Sequence, residues 1–356
     1  MLLSEYSFFL FTGLALSKVN CLLRFFWENI NHGLSWLADL TVQWLLMGDM
    51  LSWLENRVRI CEALLLGSVV MIIDYFGLNT ATAMCSSDDY GENVGFRFGY
   101  RRLNGPAKWK EHYENALGSM QSPINIITCD AVMVKSDPLT WCHHDKIPEN
   151  MIMHNDGYSV VIQGVWTHKR PQITGEALED VNYVFNRLYF HWGPTDTEGS
   201  EHTINYERYP LELHAIYLKE GHVTPMDAHY EGSRNGMLII AFLFEIAPVD
   251  NPSFLHTVTE NLYKIQKPKT RCYIEPFPLT DIFPEFYNSY FKYDGSITQP
   301  PCSEIVTYII QTETIAVSRR QMAMFRKLTA FDGKPMVNNS RPVQKLNDRI
   351  VQYCCQ

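Results

Sequence analysis

The sequence predicts an α+β domain rich in β-structure, in which one large sheet carries short peripheral helices. Candidate strands are short and numerous, whereas only two stretches have the features of helices. Met237–Ile246 is a continuous apolar run bounded by Gly236 and Pro248, which is typical of a central strand covered on both faces. Ile305–Thr312 is rich in β-branched residues and favours the same interpretation.

The other elements follow in chain order. Tyr158–Gln163, Asn182–Phe190 and Leu211–Leu218 are predicted as strands. Pro252–Ile265 and Ser318–Leu328 are predicted as helices, and Ser318 is a suitable N-cap for the second. The order of these elements predicts a single domain over residues 95–356.

Composition limits the function classes. The chain has 356 residues, of which 46% are hydrophobic, and a net charge of −9. No basic run and no zinc-finger spacing occurs, so a nucleic-acid partner is not expected. The nine cysteines are irregularly spaced, which does not indicate a disulfide framework in a chain of this length.

Residues 1–84 form an apolar N-terminal segment, and residues 85–94 a polar linker. No apolar run there reaches the ~20 residues of a spanning helix without a charge. Arg57 and Arg59 precede the apolar run Ala63–Ile73, and Ala81-Thr82-Ala83 follows it, which resembles a secretory signal. A membrane-associated helix and a segment without a folded role remain alternatives. If the domain is secreted, Asn338-Asn339-Ser340 is a glycosylation sequon.

Two histidines on neighbouring predicted strands indicate a metal site. Side chains alternate along a strand, so His191 and His214 can converge in one cleft and chelate zinc. Glu212 lies on the same face as His214 and can orient its ring. The alternative is that both are half-buried strand histidines bonded to backbone.

The sequence around these residues resembles the α-carbonic anhydrases. The motifs FHWG, GSEHT and ELH, within residues 190–214, match the zinc-site region of that family. QSPINI at residues 121–126, GSITQPPC at 295–302 and RPVQ at 341–344 match further family blocks in the same order. The resemblance covers residues 95–351 and implies a single domain around a twisted, mostly antiparallel ten-stranded sheet.

The resemblance implies specific roles for site residues. In the family, the first motif contributes two zinc ligands and ELH the third, which gives His191 and His214 as ligands here. The remaining ligand position is Tyr189, and Arg187 replaces the glutamine that supports that ligand. A neighbouring cation repels Zn²⁺, although Tyr189 could also bind zinc as a phenolate that Arg187 stabilises.

Further family positions concern the reaction itself. Thr298 and Glu201 match the pair that orients the zinc-bound hydroxide, whereas Tyr158 replaces the usual proton-shuttle histidine. Tyrosine is a poor shuttle near neutral pH because its ordinary pKa is about 10. The resemblance implies a carbon dioxide pocket lined by Ile216, Ile239, Ile297 and Tyr308. Ile216 and Ile239 replace the valines common in the family and narrow the pocket, and Gln299 is a larger group at the edge of the metal site.

These differences predict a carbonic-anhydrase-related protein with lost or much reduced CO2 hydration, acting through an unidentified protein partner. The alternative is an active zinc-dependent carbonate dehydratase, a lyase that converts CO2 and water to bicarbonate with unusual ligation. Extracellular members of the family often join the cysteine of the PPC motif to one before QSP. Cys302 is present but Ala116 occupies the partner position, which favours a cytoplasmic location over a secreted or membrane-associated one.

Overall fold

The computed structural model describes residues 96–167, 169–282 and 289–355. The predicted N-terminal segment and linker therefore lie outside the described residues. In the described part of the chain, no helix is both long and apolar enough to cross a membrane.

The described residues form fifteen strands, numbered here in chain order. Their bounds are β1 Asn125–Ile126, β2 Val132–Lys135, β3 Thr140–Cys142, β4 Asn150–Asn155, β5 Val160–Val165, β6 Gln172–Thr174, β7 Tyr183–Trp192, β8 Thr203–Ile204, β9 Leu211–Lys219, β10 Met237–Ala247, β11 Arg271–Ile274, β12 Tyr290–Gly295, β13 Val306–Gln311, β14 Ile315–Ser318 and β15 Gln352–Cys355.

Helices are short and lie between strands in the sequence. The α-helices are α1 Pro106–Trp109, α2 Pro225–Glu231, α3 Phe254–Asn261 and α4 Arg319–Phe325. The 3₁₀-helices are Glu114–Leu117, Thr128–Asp130, Glu176–Leu178, Leu262–Ile265 and Leu279–Asp281. Ser318 caps α4 as predicted: its hydroxyl accepts from the backbone N–H of Gln321 at 3.0 Å.

One large mixed sheet organises the domain. Its main path has ten strands in the order β11-β4-β5-β7-β9-β10-β13-β12-β15-β2, and β3, β6 and β14 pair beside that path. Neighbours on the path are antiparallel except β10 with β13 and β15 with β2, which are parallel. The predicted β-rich architecture is confirmed.

The central strands bury both of their faces, as their apolar sequences predict. Along β10, Leu238 and Ile240 pack in the larger apolar core with α3 and α4. Ile239 and Ala241, on the opposite face, pack in a smaller core beneath the cleft.

A third cluster, rich in aromatic residues, contains both Ala116 and Cys302, the two positions of the missing disulfide. Each cysteine in the described part of the chain is a free thiol.

Candidate metal centre

Adjacent strands β7 and β9 bring the predicted ligand positions together. In their antiparallel register, Tyr189 lies opposite His214, and His191 lies opposite Glu212. The rings of His191 and His214 are 4.6 Å apart between centroids, and both side chains are buried. The two histidines therefore converge in one cleft, as the alternation of side chains predicts.

A β-bulge determines which residues of β7 face the cleft. Tyr183 and Phe185 point into the larger core, and the register shifts between Phe185 and Arg187. Beyond the shift, Leu188 and Phe190 take the core-facing positions. The extra residue at the bulge exchanges the two faces of the strand. From position 187 onward, the odd-numbered residues therefore face the cleft.

Hydrogen bonds fix the orientation of both histidines. Nδ1 of His191 donates to the carbonyl oxygen of Asn339 at 3.0 Å, and Nε2 of His214 donates to Oε1 of Glu212 at 2.6 Å. These bonds leave Nε2 of His191 and Nδ1 of His214 as the nitrogens with lone pairs. Burial lowers the pKa of both rings, to about 3 for His191. Both imidazoles are therefore neutral near pH 7, the form that binds metals.

Glu212 is the anchor of this arrangement. Its Oε2 accepts the backbone N–H groups of Glu201 and His202 at 2.7 and 2.8 Å, and its Oε1 accepts from the rings of His202 and His214, each at 2.6 Å. Burial alone would raise its pKa, but the two histidines outweigh that effect and hold the pKa well below the usual range. Glu212 is therefore a fully hydrogen-bonded carboxylate.

Glu201 lies on the other side of His191. Its Oε1 accepts the backbone N–H of Arg341 at 2.8 Å, while its Oε2 lies 3.3 Å from Nε2 of His191. Burial and the charge of Glu212 raise the pKa of Glu201, and the hydroxyl of Thr298 partly opposes this shift. The Thr298 and Glu201 side chains are thus close enough to interact, as the resemblance implies.

The hydroxyl of Tyr189 is hydrogen-bonded to residues other than the two histidines. The hydroxyl donates to Oδ2 of Asp156 at 3.1 Å and accepts from Nε2 of Gln299 at 2.5 Å. Burial and the nearby Asp156 carboxyl raise the pKa of Tyr189 well above its usual value. The phenol is therefore neutral and hydrogen-bonded on both sides.

Arg187 is half-buried and lines the same cleft. Its Nε donates to the side-chain oxygen of Asn186 at 2.7 Å. Burial raises the pKa of Asp156 to about 6, although backbone N–H groups and the charge of Arg187 oppose that rise. Arg187 thus acts electrostatically on the carboxyl group that holds Tyr189.

The cleft itself is small, with a volume of about 40 Å³. Ile216, Ile239, Ile297 and Gln299 line it together with the two histidines. Tyr308, which was expected to line the pocket, is fully buried and donates a hydrogen bond to the carbonyl of Ser296 instead. Its ring centroid is 6.0 Å from that of His214, so it supports the histidine from within the smaller core.

Tyr158, at the proton-shuttle position, packs against an aromatic neighbour. Its ring stacks on Phe98 with 4.0 Å between centroids, and the side chain is buried. Its backbone N–H donates to Oδ1 of Asp156 at 2.8 Å. The tyrosine is therefore a packed residue of the aromatic cluster.

Two residues important to the site were not identified from sequence. Asp156 holds Tyr189, and Asn339 binds His191 through its carbonyl and three backbone groups through its side chain. The sequence signal for Asp156 was its place in an N-x-G turn next to a predicted strand. Asn339 carried no comparable signal, because its partners are about 150 residues away in the chain.

Comparison with known proteins now identifies the family. The family model of eukaryotic-type carbonic anhydrases matches residues 104–355. This chain belongs to that family. Human carbonic anhydrase 7 is 33% identical over 260 residues, which is 72% of this chain and 96% of the relative. Mouse carbonic anhydrase 7 is 33% identical over 264 residues, or 73% of this chain and 97% of the relative.

Carbonic anhydrases are typically zinc-dependent, and this site fits that metal only in part. His191 and His214 have the tautomers and spacing of metal ligands. The remaining position of the carbonic anhydrase ligand set is Tyr189, whose oxygen is bound by Asp156 and Gln299. The family's three-histidine site is therefore incomplete in this chain.

Proposed function

We propose that this chain is a carbonic-anhydrase-fold protein with lost or much reduced CO2 hydration, which acts by binding a protein partner. The observation that supports the loss of hydration is the position of the Tyr189 hydroxyl between Asp156 and Gln299. Catalytic zinc sites use three protein ligands and a water, and here one of the three is missing. Bound zinc would supply a water of lowered pKa, which is the nucleophile for hydration.

The pKa of Tyr189 argues against a phenolate ligand. Burial and Asp156 both raise it, so deprotonation at neutral pH costs more than the ~4 kcal/mol of an ordinary tyrosine. Ligation would also break the hydrogen bond to Asp156. Arg187 could stabilise a phenolate, but its charge lies beside Asp156 and would repel a metal cation in the same cleft.

The cleft also supports reduced turnover of CO2. Its volume of about 40 Å³ leaves room for few water-sized molecules, because Gln299 and three isoleucines occupy its walls. The proton-shuttle position holds Tyr158, which is stacked on Phe98, and a phenol is a poor proton shuttle near neutral pH. Both features act against hydration even when a metal is bound.

The second candidate is an active carbonate dehydratase acting on CO2 and bicarbonate. It is favoured by the converging neutral histidines and by the retained interaction of Thr298 with Glu201. The names of the relatives, human and mouse carbonic anhydrase 7, agree with it. It requires a third ligand that the family's own set does not provide here.

Restoring the family residues tests the proposal. The double substitution Tyr189→His with Arg187→Gln supplies the third imidazole and its support, and removes the competing cation. We expect zinc affinity to rise by at least about 10-fold, because the change adds an imidazole ligand and its hydrogen-bonding support and removes a cation. Stopped-flow CO2 hydration should appear in the double variant and not in the wild-type chain. A folded double variant that binds no more zinc than the wild type would contradict the site assignment.

A further inference from the structure

Glu201 is buried, and one of its oxygens is unsatisfied. The side chain has no exposed surface, and Oε2 has no hydrogen-bond partner among the described residues. Leaving a buried carboxyl oxygen without a hydrogen bond costs free energy in either protonation state. The position of this atom in the cleft therefore requires an explanation.

The atom facing Glu201 is also a hydrogen-bond acceptor. Nδ1 of His191 donates its proton to Asn339, so Nε2 presents a lone pair to Oε2 of Glu201 at 3.3 Å. Two acceptors in contact repel unless a cation, either a proton or a metal ion, lies between them. A charge-assisted hydrogen bond would be shorter, at about 2.7–2.9 Å. By contrast, ligand atoms about 2.05 Å from a tetrahedral zinc ion are about 3.3 Å apart.

His214 completes the group. His191, Glu201 and His214 each offer one ligand atom, and these atoms lie within 4.8 Å of one another. Glu201 is held in place through Oε1, which accepts from Arg341, and through its own N–H, which donates to Glu212. The carboxylate is therefore fixed by neighbours that leave Oε2 directed at the histidines.

We infer that His191, His214 and Glu201 form a divalent metal site in which the glutamate replaces the histidine missing at position 189. Two imidazoles and one carboxylate are an established ligand set for zinc and other first-row transition metals. The inference rests on the proposed function in one respect, namely that Tyr189 is not a ligand. A second cluster, formed by His202, Glu212 and His214, is excluded as a metal site. Each carboxylate oxygen of Glu212 already accepts two hydrogen bonds.

In such a site, metal binding and CO2 hydration are separate properties. When Glu201 is a metal ligand, it does not have the role that the resemblance gives it, in which it is not a ligand and pairs with Thr298 to orient the nucleophile. The chain would then bind zinc without CO2 hydration. Zinc binding and hydration are therefore measured separately, and either claim can fail alone.

The test compares two substitutions in the full-length chain, with Zn²⁺ as the probe and affinity measured by competition with a chromophoric chelator. Glu201→Gln keeps an oxygen for the Arg341 N–H but removes the charged ligand. We expect it to lower zinc affinity by more than about 100-fold. Tyr189→Phe removes only the hydroxyl and should change zinc affinity by less than about 10-fold. Thermal unfolding of both variants checks that each remains folded.

A second measurement on the wild-type chain does not depend on any variant. Crystals soaked with Zn²⁺ should give an anomalous peak about 2.0–2.2 Å from Oε2 of Glu201. Failure of the wild-type chain to bind zinc would overturn the inference and would mean that a proton lies between Glu201 and His191. A larger affinity loss in Tyr189→Phe than in Glu201→Gln, or a peak bonded to the Tyr189 oxygen, would overturn it in favour of phenolate ligation.

Discussion

The side chain of Asp156 connects the turn after β4 to the cleft. It accepts the backbone N–H groups of Tyr158 and Ser159 through Oδ1 and the Tyr189 hydroxyl through Oδ2. These bonds favour the charged form, yet burial is the larger effect and raises the pKa to about 6. The charged carboxylate is therefore retained at neutral pH at a cost in stability.

Because burial of the charged Asp156 carboxylate lowers stability, the effect of Asp156→Asn on the free energy of unfolding should depend on pH. The folded-state pKa of about 6 lies above the ordinary value of an aspartate, so the native state holds a proton that the unfolded state has released between about pH 4 and pH 6. The native state of the wild type therefore loses stability as pH rises through that window. Asparagine has no such titration, so the stability of the variant relative to the wild type should grow by on the order of 3 kcal/mol from about pH 4 to pH 7.

Denaturant unfolding at both pH values measures this difference. Asp137→Asn, at an exposed position in the same domain, is the matched control and should show no comparable growth. Equal behaviour of the two variants would show that the Asp156 carboxyl is not desolvated in the folded protein.

At the scale of elements, the segment after α4 fixes the position of β7. The Asn339 side chain accepts the N–H of Trp192 at 2.7 Å and donates to the carbonyls of Tyr158 and Phe190, each at 2.9 Å. It thereby ties the end of β7 to the turn before β5. His191 lies between two of these contacts, Phe190 and Trp192, so the same segment orients its ring.

Removal of this side chain should destabilise the whole domain. Asn339→Ala removes one hydrogen bond from each of three buried backbone groups, of which the Phe190 carbonyl still accepts from Ser159. We expect a cost of about 2–5 kcal/mol in the free energy of unfolding. The neighbouring Asn338 is half-buried, and among the described residues its side chain accepts only from Ser340. Asn338→Ala is therefore the control and should cost less than about 1 kcal/mol. Chemical denaturation measures both values. Similar costs at the two positions would refute the proposed role of Asn339.

The sequence predicted the central elements better than the site that they build. The strands β7, β9, β10 and β13 and the helix α4 lie where their apolar and capping patterns place them. The shift of register before Arg187 was not predictable, because a bulge depends on pairing with β9 rather than on local residue types. The role of Asp156 was missed for the same reason, since its partner Tyr189 is brought near it only by the sheet.

At the scale of the whole molecule, the carbonic anhydrase fold is retained while the cleft is altered. The ten-strand path and both apolar cores are complete in the described residues. The changes are concentrated at Arg187, Tyr189 and Gln299, which all line the cleft. Gln299 donates to the Tyr189 hydroxyl, whereas Arg187 donates to the neighbouring Asn186. Because each of these side chains has a hydrogen-bond partner, the altered cleft is compatible with a stable fold.

The rate of CO2 hydration by the purified full-length chain, measured by stopped flow with stoichiometric Zn²⁺ present, tests the central claim most directly. Human carbonic anhydrase 7, which is 33% identical to this chain, is a suitable comparison in the same assay. The account predicts that hydration by this chain is absent or far slower than that by human carbonic anhydrase 7, whether or not zinc is bound, because the third histidine is replaced by a hydrogen-bonded tyrosine. Clear zinc-dependent hydration by the wild-type chain would contradict it and establish an active carbonate dehydratase with a different ligand set.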